Sequence, residues 1–385
     1  MIPIPQLLDY ETLRIIWWLL LGILLIGLAI MDGFDFGVAS LLPFVSHNDI
    51  ERRIVINTVG PVWEGNQVWL ILGGGAIFAA WPSIYAVTFS GFYLAMLVIL
   101  AAIILRPVGF KFRSKLENQH WRKFWDICIF IGGFIPGLLF GVAVGNVIIG
   151  VPFSFDDTLR MSYTGTFWQL LNPFSILCGA ISIIMFMQHG AIYLALKTEE
   201  NIYFRCKKFL SFSFILLTFL LILAGYTVTT SINGYEIISS INPNGPSNPL
   251  LKQVQVHLGL WKYNYAEHSW MWIAPVMAFG GLVLTYMFSR FNSFGFGFIT
   301  SSISIFGIVS IPGLMMFPFI LPSSTFPNHS LTVYDASSSR LTLFIMLIAS
   351  LIFIPIILAY TSWVYHVLRG KITSKTISDK QRGLY

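Results

Sequence analysis

Nine long apolar stretches divide this sequence, and each can cross a lipid bilayer as a helix. A membrane-spanning helix needs about 20 predominantly apolar residues. The stretches that satisfy this length lie at residues 15–40, 63–82, 84–105, 124–146, 166–188, 208–229, 269–289, 295–319 and 341–367. Trp81-Pro82-Ser83 separates the second from the third, because proline favours a turn. The sequence therefore predicts an all-α, polytopic membrane protein of about nine transmembrane helices.

The composition supports a lipid-facing surface. Of the 385 residues, 56% are hydrophobic and only 10% are charged, whereas about a quarter of the residues of a soluble domain are charged. The lysines and arginines are dispersed, so they do not form the dense basic groove that tracks a nucleic-acid backbone. We therefore exclude a nucleic-acid partner and expect the bilayer to cover most of the chain.

The distribution of positive charge predicts the orientation of the helices. When the loops are assigned alternately to the two sides, 18 of the 23 lysines and arginines fall on one side. The other side holds five, which are Arg14, Arg160, Lys252, Lys262 and Arg340. Positive residues concentrate in cytoplasmic loops. We therefore predict an outer N-terminus and a cytoplasmic C-terminus.

Two carboxylates lie in the inner half of the first predicted helix. Asp32 and Asp35 are three residues apart, a spacing that places both on one helical face. A charged side chain at the centre of a membrane helix costs about 2.5 to 3.5 kcal/mol on insertion scales. Such a face requires a partner, a water-filled cavity or a bound proton.

The second predicted helix brings further polar groups towards the same depth. Glu64 precedes Asn66 and Gln67 near the inner start of that helix, and the antiparallel arrangement places it near Asp35 in depth. Three acids and two amides at one depth are typical of a proton path. Arg106, at the inner end of the third helix, is either an interface anchor or an ion-pair partner of a buried carboxylate.

A structural interpretation of the same residues stays open. Asp32 or Asp35 can cap a helix break or pair with Arg106, and Glu64 can be an acid in the first turn that the helix dipole favours. One cap does not require three acids, which favours the functional interpretation of the whole set.

The histidines do not predict a metal or haem site in this chain. The seven are His47, His120, His189, His257, His268, His329 and His366, and we place all of them in loops or at helix ends. A haem with two axial ligands from this chain would need two facing side chains within the membrane. His189, at the predicted end of the fifth helix, is interpreted as a capping or interfacial residue rather than a lone iron ligand.

Several separate segments resemble subunit II of the cytochrome bd-type quinol oxidases. They are Asp32-Gly33-Phe34-Asp35, Trp63-Glu64-Gly65-Asn66-Gln67-Val68-Trp69-Leu70, Phe78-Ala79-Ala80-Trp81-Pro82, Arg106-Pro107-Val108-Gly109-Phe110, Leu171-Asn172-Pro173-Phe174 and Met316-Phe317-Pro318-Phe319 with Pro322-Ser323-Ser324. The resemblance runs nearly end to end. One departure is Glu64, where such relatives carry an aspartate, so the reach of the carboxylate is one methylene longer.

The resemblance implies a fold and a membrane location. It implies one integral membrane domain built from two four-helix bundles and a peripheral helix. The first bundle would cover residues 15–146, the second bundle with the peripheral helix 166–367, and a cytoplasmic tail 368–385. The location would be the bacterial inner membrane, with the N-terminus in the periplasm.

The resemblance also implies an activity and partners. The family's complex is a terminal oxidase of the respiratory chain, which oxidises quinol, reduces oxygen to water and generates a proton-motive force. A haem-bearing subunit I, with haem b and haem d, would form a heterodimer with this chain, with or without small accessory subunits. This chain would ligate no haem iron, its acids would belong to a proton path, and a structural quinone is a further cofactor that the resemblance allows.

Two other classes of protein are rivals. A secondary transporter could use Asp32, Asp35 and Glu64 as an ion-coupling site, but it should show inverted repeats, and the second half of the sequence has no counterpart of these acids. A purely structural assembly subunit would satisfy its acids internally.

Overall fold

The computed structural model describes residues 8–373 and residue 377. The helices are α1 (Tyr10–Val45), α2 (Asp49–Val59), α3 (Trp63–Asn66), α4 (Val68–Ala80), α5 (Pro82–Gly91), α6 (Tyr93–Phe112), α7 (Gln119–Ile149), α8 (Pro173–Lys197), α9 (Glu200–Thr230), α10 (Tyr263–Glu267), α11 (Ile273–Arg290), α12 (Phe294–Met316) and α13 (Arg340–Val367). Within the described residues, eight helices are continuous, long and apolar enough to cross a membrane: α1, α6, α7, α8, α9, α11, α12 and α13.

The predicted second transmembrane stretch, 63–82, is divided into two helices. The short α3 ends before Gln67, and α4 continues to Ala80. Pro82 is the first residue of α5, which leads into α6; proline is well accommodated at the start of a helix because it has no N–H to leave unpaired there. The predicted break at Trp81-Pro82-Ser83 and the predicted all-α, polytopic fold are confirmed. The predicted span 63–82 is not among the eight long helices of the described residues, because it is divided between α3 and α4.

The long helices pack as two groups of four. In the first group α1 packs against α4 and α7, and α7 packs against α6; α8, α9, α11 and α12 form the second group. The two groups meet where α8 packs against α1 and α7. Helix α13 lies at the periphery against α1 and α4, and it buries only Leu343 and Leu347.

Short antiparallel hairpins lie at the end of the bundle that is predicted to be outer (the outer face). The strands are β1 (Phe153–Phe155), β2 (Met161–Tyr163), β3 (Asn233–Ile237), β4 (Val254–Leu258), β5 (Phe319–Leu321) and β6 (Leu331–Thr332). They pair consecutively into three two-stranded sheets. The pairs β3–β4 and β5–β6 lie in two long connecting segments, 231–262 after α9 and 317–339 after α12.

Two buried cations, Arg14 and Lys252, connect these segments to α1 and to each other. Arg14 is fully buried at the outer end of α1; it donates from Nε to Ser337 Oγ at 2.7 Å and from Nη2 to the carbonyl oxygen of Gly245 at 3.0 Å. Lys252 Nζ lies 2.7 Å from Asp335 Oδ2, so this pair joins the two segments directly. Burial lowers the pKa of Lys252, and the Asp335 carboxylate opposes that shift.

Ion pairs also organise the inner face. Arg113, only 1% exposed, lies 2.9 Å from Asp49 and 2.5 Å from Asp126. Arg122 pairs with Asp49 at 2.9 Å and Arg52 with Asp126 at 2.8 Å. These five side chains connect α2, the end of α6 and α7. The cations that are predicted to be cytoplasmic therefore hold the loops at this end of the bundle together.

Most of the predicted cytoplasmic tail, 368–385, lies outside the described residues, including Lys375, Lys380 and Arg382. The described beginning of this segment returns to the bundle, because the Ile372 N–H donates to the carbonyl oxygen of Lys197 at 2.8 Å.

The contact between α1 and α8 depends on two glycines. A Cβ at Gly37 would collide with the backbone carbonyl of Phe186, and a Cβ at Gly190 would lie 2.6 Å from the backbone nitrogen of Val38. Small residues let membrane helices approach closely. The two backbones are therefore too close for any side chain between them.

We expect Gly37→Ala to destabilise the protein by about 1–3 kcal/mol, the usual cost of overpacking, because α1 and α8 would have to separate. Gly22→Ala on the same helix is the matched control, since nothing lies within 4 Å of its added Cβ. Thermal unfolding of the purified complex measures both. Equal melting temperatures for the two variants would contradict the predicted close contact.

Candidate functional site within the membrane

A fully buried ion pair joins α1 and α6. Arg106 Nη2 donates to Asp32 Oδ1 at 2.9 Å, and neither side chain is exposed. The guanidinium carbon also lies 4.5 Å above the ring centre of Phe36. Gly132 on α7 makes room for this arginine, because a Cβ there would lie 2.8 Å from Arg106 Cβ. Of the two predicted roles of Arg106, the structure selects the ion-pair partner.

The second acid of α1 is linked to two other helices. Asp35 is fully buried, and its Oδ2 accepts a hydrogen bond of 2.8 Å from Asn66 Nδ2 on α3. Asn66 Oδ1 in turn accepts a 2.7 Å hydrogen bond from the Tyr365 hydroxyl on α13. A chain of two hydrogen bonds therefore runs from the peripheral helix to a carboxyl group inside the bundle.

Several buried polar atoms of this cluster are not hydrogen-bonded to other described residues. They are Asp32 Oδ2, Asp35 Oδ1, and Arg106 Nε and Nη1. Most buried polar groups in proteins have a partner, either protein or ordered water, and an unpaired one costs about 1–3 kcal/mol. The cluster is therefore chemically suited to hold water or to accept a proton.

Glu64 and Gln67, which the sequence places at the same depth, are not part of this cluster. The Glu64 side chain is 68% exposed on the surface of the chain, with Oε1 4.0 Å from Lys111 Nζ, and Gln67 is half-buried between α3 and α4. Successive helical residues are rotated by about 100°, so Glu64 and Asn66 point in nearly opposite directions. Similar depth does not bring the Glu64 carboxylate to Asp35.

The interpretation of His189 as a capping or interfacial residue is wrong. Its side chain is fully buried; Nδ1 lies 2.8 Å from Ser301 Oγ and Nε2 lies 3.1 Å from the carbonyl oxygen of Ile30, while the ring stacks on Phe298 at 4.5 Å. The error comes from the boundary of the helix. The predicted fifth span ends at residue 188, whereas α8 continues to Lys197.

Two tyrosines near the acids were not predicted. The Tyr193 hydroxyl donates to the carbonyl oxygen of Thr58 at 2.9 Å, and its ring stacks on Phe34 at 4.2 Å. Tyr365 looks like an ordinary interfacial aromatic in the sequence. The sequence does contain a signal for Tyr193: it lies four residues after His189, so the two polar side chains share one face of a helix.

No group of three or more His, Cys, Asp or Glu side chains converges on a metal-sized site in residues 8–373 and 377. The polar cluster is thus made of carboxyl, guanidinium, amide and phenol groups. Ionisable residues within membrane helices usually belong to ion or proton pathways and pair with one another. The fold and the cluster define a multi-pass membrane protein with an ionisable site inside its helix bundle.

Comparisons with known proteins identify the family. Residues 13–368 match the family described as cytochrome bd terminal oxidase subunit II. The chain is 46% identical to the cytochrome bd-I ubiquinol oxidase subunit 2 of Escherichia coli and 45% identical to the probable cytochrome oxidase subunit 2 of Haemophilus influenzae; each match covers 98% of this chain and 100% of the relative. The chain belongs to the cytochrome bd terminal oxidase subunit II family. It is therefore a component of a haem-containing oxidase complex with a subunit I partner, and a multi-pass inner-membrane protein.

A solved structure has the same fold. The bd oxidase from Geobacillus thermodenitrificans contains a chain that superimposes with a TM-score of 0.67. The match covers 92% of this chain and 98% of that chain, with 16% sequence identity. The helical arrangement is therefore shared by proteins of widely different sequence.

We expect Arg106→Gln to cost about 3–5 kcal/mol of stability, because it leaves the buried Asp32 carboxylate without its positive partner. The double variant Asp32→Asn, Arg106→Gln should be more stable than Arg106→Gln alone, since neither charge remains. Thermal unfolding of the complex measures both effects. Arg290→Gln is the control, because that arginine is exposed at the end of α11. A double variant as unstable as the sum of its single variants would contradict this interpretation.

Proposed function

We propose that this chain lines a proton path of a quinol-oxidising, oxygen-reducing complex. In this proposal, subunit I holds haem b and haem d and oxidises quinol, and this chain brings protons from the cytoplasmic side. The observation that carries the proposal is the fully buried cluster of Asp32, Asp35, Asn66 and Arg106. The related proteins supply the reaction class, since one of them is a ubiquinol oxidase subunit.

The chemistry of the cluster suits transient proton binding. Asp35 Oδ1 is buried without a hydrogen bond to another described residue, so it can accept a proton from a water molecule. Arg106 lies beside Asp32 and keeps one positive charge near the two acids. The pair thereby limits the repulsion that two buried carboxylates would otherwise experience.

The direction of proton entry follows from the proposed orientation. With the N-terminus in the periplasm, α1 runs inward, and Asp32 and Asp35 lie in its inner half. The excess of lysine and arginine on that side supports the orientation. Protons taken from the cytoplasm and consumed at the haems would then contribute to a proton-motive force.

The haems are assigned to the partner on the chemistry of the histidines. His189 is the histidine buried among the membrane helices, and both of its ring nitrogens are already engaged, with Ser301 and with the Ile30 carbonyl oxygen. An iron ligand needs one free ring nitrogen. His189 is therefore not proposed as an iron ligand, and no electron-transfer step is assigned to this chain.

Glu64 would join the proton path at the surface of this chain that subunit I is proposed to cover. Its carboxylate is exposed on the face of the chain formed by α3 and the inner end of α6. A carboxylate exposed to lipid near the membrane interface is unfavourable. We propose that subunit I covers this face, so that Glu64 lies between the subunits rather than against Asp35.

The proposal also covers the organisation of the membrane domain, a structural quinone and the rival transporter class. The two helix groups, 15–146 and 166–367, would act as one membrane domain because α8 packs against α1 and α7. A structural quinone would need more space than the apolar cavity of about 20 Å³ between α6 and α7, which is lined in part by Phe92, Met96 and Leu139. Membership of the oxidase family disfavours a secondary transporter.

We expect Asp35→Asn to lower quinol-driven oxygen uptake by about tenfold or more, because loss of a proton-transferring group typically costs a hundredfold or more and parallel water routes would reduce that loss. The measurement uses the assembled, haem-replete complex in liposomes and records proton uptake from the inner side together with oxygen consumption. Asp157→Asn, at an exposed acid of the outer face, should leave both rates unchanged.

Wild-type rates in a haem-replete Asp35→Asn complex would refute the proposed path. Glu64 is tested separately: Glu64→Gln should slow turnover, whereas Glu64→Asp should retain it because the carboxylate is kept. If Glu64→Gln has no effect while Asp35→Asn does, the path runs through α1 without Glu64.

A further inference from the structure

The peripheral helix α13 carries two tyrosines with different surroundings. The Tyr365 hydroxyl donates to Asn66 Oδ1 at 2.7 Å, and Asn66 Nδ2 donates to Asp35 Oδ2 at 2.8 Å. Tyr360 is 62% exposed, and its ring lies beside Trp363. Only the inner tyrosine is therefore connected to the acid cluster.

The direction of these hydrogen bonds depends on the protonation of Asp35. A carboxamide offers a donor on one side and an acceptor on the other, whereas a phenol can donate or accept. In the observed arrangement, Asn66 offers its nitrogen to Asp35, which suits a carboxyl oxygen that bears no proton. A protonated Asp35 needs an acceptor instead, and a half-turn of the amide would supply the Asn66 oxygen.

A hydroxyl at position 365 allows both arrangements. After the half-turn, Asn66 would present its nitrogen to Tyr365, and the phenol oxygen would accept that hydrogen bond. A phenylalanine ring could do neither, which would leave one side of the buried amide unpaired in both states. An unpaired buried polar group is destabilising.

We propose that Tyr365 is a positioning residue of the proton path, which stabilises Asp35 with and without its proton by hydrogen-bonding to either orientation of the Asn66 amide. The proton itself moves on to and off Asp35, and Tyr365 neither gains nor loses one. This inference rests on the proposed function, because it assigns a role to Tyr365 only if Asp35 transfers protons.

Helix α13 does not depend on the Tyr365 hydroxyl for its attachment to the bundle. Helix α13 is also held at its outer end, where Trp17 Nε1 donates to the carbonyl oxygen of Leu343 at 2.8 Å. Beyond its inner end, the Ile372 N–H donates to the carbonyl oxygen of Lys197 at 2.8 Å. These contacts remain when the hydroxyl is removed.

The groups that act on Asp35 come from several helices, so a test must keep them unchanged. Asp32 and Arg106 interact electrostatically with the Asp35 carboxyl group, and that group interacts in turn with the Tyr193 and Tyr365 hydroxyls. Replacement of Tyr365 by phenylalanine removes one oxygen atom and leaves the other three side chains in place.

The experiment compares Tyr365→Phe with Tyr360→Phe in the assembled, haem-replete complex. We expect Tyr365→Phe to lower quinol-driven oxygen uptake by about threefold to tenfold, the effect of losing a hydrogen bond of about 1 kcal/mol. Its reduced-minus-oxidised infrared spectrum should show a shifted carboxyl band, assigned to Asp35 by its loss in Asp35→Asn. Tyr360→Phe should change neither quantity.

A double variant tests whether the effect passes through Asn66. If it does, Asn66→Leu with Tyr365→Phe should be no slower than Asn66→Leu alone, since linked residues are not additive. Additive losses, or an unshifted infrared band in Tyr365→Phe, would overturn the inference. If Asn66→Leu does not assemble, the infrared band decides. If the inference about Tyr365 is overturned, a loss of turnover in Asp35→Asn would still support the proposed function.

Discussion

The buried ion pair between Asp32 and Arg106 is the constraint on which the membrane core depends. Both side chains are fully buried, and 2.9 Å separates Asp32 Oδ1 from Arg106 Nη2. Removing two charges from water is expensive unless they meet in good geometry, so α1 and α6 must remain neighbours at this depth. Because Gly132 on α7 leaves room for Arg106, the pair also sets how closely α7 can approach α6. The position of Asp35 then follows, one turn further along α1.

Close backbone contact extends this arrangement to the second helix group. Gly37 on α1 and Gly190 on α8 leave no space for a side chain between the two helices, and α8 thereby brings His189 and Tyr193 beside α1. Polar groups in the bundle are satisfied across helices rather than by lipid. The ion pair and the glycine contact together place residues from both groups around one short segment of α1.

The sequence could predict the depth of a residue but not its direction around a helix. Hydropathy gives the spans, the outer and inner loops, and the acids of α1, because the bilayer imposes a length on every helix. It does not show which way the residues of α3 face: Asn66 points to Asp35, whereas Glu64, two positions earlier, points away from it. The end of α8 differs from the prediction because the predicted span stops at residue 188, before the polar His189, whereas the helix continues to Lys197. Tyr365 was missed because its partner lies 299 residues away.

The attachment of α13 explains why a peripheral helix can matter to the core. Most of its surface is exposed, and Leu343 and Leu347 are its buried residues, so hydrophobic packing contributes little to its position. Directional contacts also hold it: the Trp17 indole binds at one end, the Ile372 N–H binds beyond the other end, and the Tyr365 hydroxyl lies between them. The Tyr365 contact ends on an amide whose other side is bound to Asp35. The same amide joins the peripheral helix to the acid, and in the proposed path the Tyr365 hydroxyl acts on Asp35 through Asn66 rather than attaching the helix.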